Sequence, residues 1–178
     1  MITATQIAPF HRQGIDFEET ECLKAKLAQL RGERQPFYLT EAEFEEILVW
    51  KLGKQIGRRR VLRAANTDEI IQAITGLALT ICHQDKEYEL ELRVNLLCAL
   101  RGVGVPVASA VLALAFPDEY AVIDYRVWRQ LFDEEKTVFF LPDYRRYMGE
   151  IRRLASELGW PVQEVDHAIW EFDRQGGF

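Results

Sequence analysis

Residues 100–129 read LRGVGVPVASAVLALAFPDEYAVIDYRVWR, and the fold follows from how this stretch is read. Just upstream, Leu90, Val94, Leu97 and Leu100 recur at three- and four-residue spacing, the period of an amphipathic helix. Gly102 falls just past the last periodic residue, where a left-handed position strains glycine least. Gly104 lets the chain pass close to another surface, and Pro106 suits the first turn of a new helix. Ala108, Val111, Leu112 and Ala115 give that helix an apolar face. The reading is helix, tight hairpin, helix. Backbone N–H groups at the start of the second helix, flanked by small residues, form an anion site. Val122-Ile123-Asp124 then brings a carboxylate in behind two β-branched residues.

Composition sets the outer limits. A chain of 178 residues, 48% hydrophobic, can bury one good core, so one domain over 1–178 is expected. The N-terminal MITATQIAPFHRQG has no basic region followed by an apolar run, so no signal peptide is expected. No stretch approaches 18 uninterrupted apolar residues, which excludes a helical membrane span. Cys22, Cys82 and Cys98 are scattered and form no CxxC pair; they read as reduced, buried thiols of a cytoplasmic protein. The net charge of −6 is unusual for a duplex-DNA binder, so the distribution of charge decides more than its sum.

The rest of the chain is helical by period. Residues 1–15 show none and read as an irregular arm or cover. Phe17, Leu23, Leu27 and Leu30 share a helical face that Gly32 closes. Thr40 with Glu43 is a capping box, opening a helix with Phe44, Ile47 and Leu48 inward and Trp50 and Lys51 on its last turn. Asn66 with Glu69 reads as another start, with Ile70, Ile74, Leu77, Ala78 and Ile81 as the stripe. Past Asp124 come a short helix to Leu131, a connection in which 137–140 is locally extended, a helix from Pro142 to Gly159, and a last one over about 162–172. The expected fold is a compact all-α unit of seven or so helices built around the helix-hairpin-helix.

One stretch is strongly basic. Lys51, Lys54, Arg58, Arg59, Arg60 and Arg63 occur with no acid among them. Such a local excess in an acidic chain is either a phosphate-backbone footprint or a solvated loop neutralised by Asp68 and Glu69.

The L-x-G-V-G-x-x-x-A run from Leu100, followed by V-L-x-x-A-F from Val111 and D-x-x-V-x-R from Asp124, resembles the helix-hairpin-helix DNA glycosylase superfamily, endonuclease-III-like and 8-oxoguanine-glycosylase-like. The resemblance covers about residues 90–130. It implies that the amides of Gly102, Val103 and Gly104 hold a DNA phosphate, often through a monovalent cation, with no other cofactor. It also implies that an aspartate about twenty residues past the second hairpin glycine serves the glycosylic bond; here 124 − 104 = 20. Two features depart from the family. Bifunctional members carry a sugar-attacking lysine two residues past that glycine, where this chain has Pro106. Members with an iron–sulfur cluster hold it on four closely spaced C-terminal cysteines, whereas all three cysteines here lie upstream.

The candidate catalytic residues are therefore Asp124 and Lys51, the DNA contacts Gly102, Val103, Gly104, Arg58, Arg59 and Arg60, and the base-stacking face Trp50. Each has a plainer reading. Asp124 is also a good helix N-cap. Lys51 at a helix end serves the dipole, or replaces the lysine missing at 106 as nucleophile. Trp50, Tyr125 and Trp128 suit packing as well as stacking. Arg129 reads as structural. The three histidines share no metal-ligand spacing, so no metal site is expected. Two functions fit these residues: a monofunctional base-excision glycosylase docking duplex DNA, or a non-catalytic hairpin module that binds DNA or a protein partner.

Overall fold

The computed structural model describes residues 2–57 and 59–177. Among these residues the chain is all-α, without a strand. The centre is α7 (Val105–Ala115), where ten of eleven residues are buried, leaving only Pro106 partly open. A helix apolar on every side has no solvent face to offer and becomes the axis of its bundle. Around it pack α2 (Phe17–Glu33), α3 (Glu41–Leu52) and α6 (Lys86–Cys98). α5 (Asp68–Thr80) lies against α3 and α6. A second group, α8 (Tyr125–Phe132), α9 (Leu141–Leu158) and α10 (Val162–Arg174), packs mutually and joins the first through α6 and α9. The buried apolar side chains of both groups form one continuous cluster.

The helix ends that position the site follow local chemistry. Thr40 Oγ1 accepts from the Glu43 N–H while Glu43 returns to the Thr40 N–H at 2.8 Å, and Gly53 at φ +48° stops α3. Lys51 is thereby fixed in a last turn. Asp85 caps α6 by accepting from Glu87 and Tyr88. Gly159 at φ +68° ends α9, and the Gln163 N–H at the start of α10 reaches back to the Pro117 carbonyl at 2.9 Å.

Several sequence expectations are corrected. Residues 4–10 are not irregular: α1 (Ala4–Ile7) and a 3₁₀ turn over Ala8–Phe10 pack on α10, with Ile2, Ala4 and Ile7 buried. A four-residue helix is too short for a period to declare it, and its stability comes from this burial. The inward face of α5 carries Ile71, Thr75, Gly76, Ala78 and Leu79, whereas Ile70 and Leu77 are exposed. Thr75 faces inward because its hydroxyl accepts from the Leu39 N–H at 3.0 Å and donates to Ile71 at 2.7 Å, while Gly76 admits Tyr38. Thr67, not Asn66, caps α5. Cys22 and Cys82 are exposed rather than buried. No described helix is long and apolar enough to cross a membrane.

Candidate active site

The segment 121–124 is held on every side. The buried phenols of Tyr144 and Tyr147, kept protonated by burial that pushes them well above the ordinary phenol range, donate to the carbonyls of Ala121 and Val122 at 2.9 Å each. The Val122 N–H donates to Asp166 Oδ2, and the Ile123 N–H to Ser109 Oγ at 3.1 Å. The Ile123 carbonyl accepts from Lys51 Nζ at 3.2 Å. Buried backbone polar groups need partners, and here five side chains from α3, α7, α9 and α10 supply them. The next residue, Asp124, thus emerges from a rigid mount.

Asp124 serves two partners. Its Oδ1 accepts from the Arg126 N–H at 3.0 Å, capping α8, while Oδ2 lies 3.4 Å from Lys51 Nζ. Both expected candidates therefore meet, although they come from different helices and are separated by 73 residues. Arg129 does not clamp Asp124; with Arg126 and Gln130 it grips Asp173 of α10, through bonds of 2.6–3.0 Å. That grip fixes α8 on α10. Trp128 is core, its ring packed at a tilt against Phe132 and Phe139, whereas Tyr125 is exposed.

Asp124 and Lys51 border a cleft of about 110 Å³ that Trp50 and Trp170 also line. This is smaller than the roughly 300–1,000 Å³ of sites that enclose a drug-sized ligand. Trp50 Nε1 donates to Thr20 at 3.0 Å, which fixes its ring. Beside Gln163, α10 brings to the cleft three residues that were not singled out as site residues in the sequence: Asp166, His167 and Trp170. With Gln163 they recur at i, i+3, i+4 and i+7, so they share one helical face. That polar stripe was the available signal; it reads as a solvated surface until α3 and the 121–124 segment are seen to cover it.

The electrostatics of this wall are uneven. Burial alone would push the His167 imidazole down, but the 3.1 Å bond to Asp16 and the surrounding carboxylates outweigh it and hold the ring above its ordinary value. The same bond holds the Asp16 carboxyl low. Burial pushes the Asp166 carboxyl up to about 7. The Val122 N–H and the charges of His167 and Lys51 act against that push, and Asp124 adds to it. No cluster of three or more His, Cys, Asp or Glu residues among those described is arranged to hold a metal ion.

The hairpin leads into the N-terminal end of α7. Gly102 has φ +78°, and a Cβ there would stand 2.8 Å from Arg63 Cγ. Arg63 is itself buried, donating to the Ile56 carbonyl. Asn66 braces the turn twice, accepting from the Arg101 N–H at 2.9 Å and donating to its carbonyl at 3.0 Å. This role explains why Asn66 does not cap α5. The basic stretch thus packs against the hairpin through α4 (Arg60–Arg63), with Arg59 and Arg60 exposed. Arg58 lies outside the described residues. Val103 is buried, and the N–H groups of Gly104 and Val105 meet no acceptor among the described residues. Ser109, five residues past Gly104 and about 7 Å along the helix, links the hairpin helix to the Asp124 mount.

No family model, curated protein or solved structure matches this chain.

Proposed function

We propose that the chain is a monofunctional DNA glycosylase of base-excision repair. The observation that carries this reading is the convergence of Asp124, Lys51 and Trp50 on one cleft, tied through Ser109 to a hairpin flanked by exposed arginines. The Val103 N–H donates to the Leu100 carbonyl at 3.1 Å, so the amides of Gly104 and Val105, with Arg59 and Arg60, dock the phosphate backbone, a monovalent cation assisting at the hairpin. An altered base turns out of the stack and lies against Trp50. As its N-glycosylic bond breaks, the electron pair leaves with the base and the sugar gains oxocarbenium character, which the Asp124 carboxylate stabilises. Water adds to the sugar carbon and gives up a proton to Asp124. Lys51 holds the Oδ2 edge of that carboxylate.

The test is incubation with duplexes that each carry one altered base (oxidised guanine, uracil, an alkylated adenine), scored for abasic sites. Product from at least one duplex is expected, with no strand nicking. Borohydride separates Lys51 as a holder of Asp124 from Lys51 as nucleophile: a trapped covalent adduct abolished by Lys51→Met would assign it the attack on the sugar.

One observation favours a second reading, a non-catalytic hairpin module. Asp124 caps α8, and Lys51 satisfies the Ile123 carbonyl, so both have structural employment. Duplex binding without product would support that module. Loss of duplex binding together with product would leave a protein partner.

A further inference from the structure

Asp166 stands on α10 with only 4% of its surface exposed. Its Oδ2 accepts from the Val122 N–H. Its Oδ1 has no hydrogen-bond partner among the described residues and is not sealed off, and the residue lines the cleft that Asp124 and Lys51 border. Unlike Asp124, Asp166 makes no ion pair among the described residues. We propose that Asp166 is the general acid of this site, delivering a proton from Oδ1 to the departing base while Asp124 serves the sugar. This rests on the glycosylase reading.

The chemistry calls for such a group. A neutral purine or pyrimidine expelled with the electron pair of its glycosylic nitrogen leaves as an anion unless a proton arrives, and the donor must hold that proton at working pH. Asp124 faces the Lys51 ammonium and accepts from the Arg126 amide, and is the partner proposed for the developing cation. Asp166 is the more deeply buried of the two carboxylates, and burial lifts its carboxyl to about 7. The groups facing it are Lys51 from α3, Asp124 before α8, Tyr144 and Tyr147 from α9, and His167 beside it, itself bound to Asp16. Both phenols spend their protons on backbone carbonyls, so neither competes as donor. The step balances: Asp166 gives its proton to the base nitrogen, water adds to the sugar carbon and protonates Asp124, and solvent returns that proton to Asp166.

The experiment compares wild type with Asp166→Asn, whose amide oxygen still accepts the Val122 N–H. Single-turnover cleavage is measured across pH on two duplexes, one with a neutral altered base and one with an N7-alkylated guanine. The alkylated base is already cationic and departs neutral, needing no proton. On the neutral base, wild-type cleavage should fall as pH rises through about 7. There the variant should be slower by roughly 10²-fold or more and lack that limb. On N7-alkylguanine the deficit should shrink to within several-fold. An equal deficit on both duplexes, or an unchanged pH limb in the variant, would overturn the proposal and leave Asp166 as a brace for Val122. Carboxyl-carbon NMR on the same proteins, with duplex binding, reads the group without the reaction. A resonance titrating near neutrality in wild type should vanish in the variant. Wild type that binds duplex and titrates but cleaves neither base would overturn the proton-delivery role through failure of the glycosylase reading, not of the acid's geometry.

Discussion

Asp124 holds a helix start with one oxygen and meets an ammonium with the other, so its two roles separate by substitution. Asparagine is as good an N-cap as aspartate, whereas alanine forfeits about 1 kcal/mol. Asp124→Asn should therefore melt close to wild type and lose cleavage, while Asp124→Ala should also lose stability; thermal melts beside abasic-site assays read both. Asp166 carries the opposite lesson. Its carboxyl lies near 3.8 when free and is raised to about 7 in the fold, so the folded protein binds a proton that the unfolded chain releases. Stability from this residue is undiminished at low pH and falls as pH rises through that window. Asp166→Asn removes the cost, on the order of a few kcal/mol at most. Its melting temperature should exceed that of wild type at pH 8, with the advantage shrinking toward pH 5. A variant less stable at both values would contradict this sign. Asp124 was legible because it follows β-branched residues at a fixed distance from the hairpin. Asp166, 42 residues further on, had no local mark, because its burial is created by elements far away in the chain.

At the scale of elements, the hairpin glycines differ in what they are needed for. Gly102 combines φ +78° with a Cβ direction blocked by an anchored Arg63, so Gly102→Ala should destabilise the fold by about 1–2 kcal/mol. A Cβ at Gly104 would meet only Pro106 Cδ at 3.9 Å, and the residue lies at φ −119°. Gly104→Val should therefore leave the melting temperature within a few degrees of wild type, yet weaken duplex binding if backbone approach to phosphate is its purpose. Equal duplex affinity for Gly104→Val and wild type would remove the hairpin amides from the docking surface. Helix ends were legible where one residue decides them, as with Thr40 and Gly159. The register of α5 was not. Its inner face is built on Thr75 and Gly76, which hydropathy counts as outer, and tertiary hydrogen bonding at Leu39 overrode the aliphatic stripe. α10 was legible only as a helix, since nothing local marks its polar stripe as the lining of a cleft.

Across the whole molecule, a net charge of −6 opposes DNA while the Arg59–Arg63 turn favours it. Salt dependence measures which prevails. Duplex affinity should fall steeply with salt, with a slope near −0.9 per phosphate contacted. Substituting Arg59 and Arg60 by glutamine should reduce the slope by about 2, each arginine standing for about one phosphate. A flat salt profile would point instead to a protein partner. The most direct measurement sets wild type and Asp124→Asn side by side on the altered-base duplexes, at protein concentrations that saturate binding, and counts abasic sites. Wild type should produce them from at least one duplex, and Asp124→Asn should bind that duplex equally and produce none. No product from any duplex with wild type, or equal product from both proteins, would contradict a glycosylase working through Asp124.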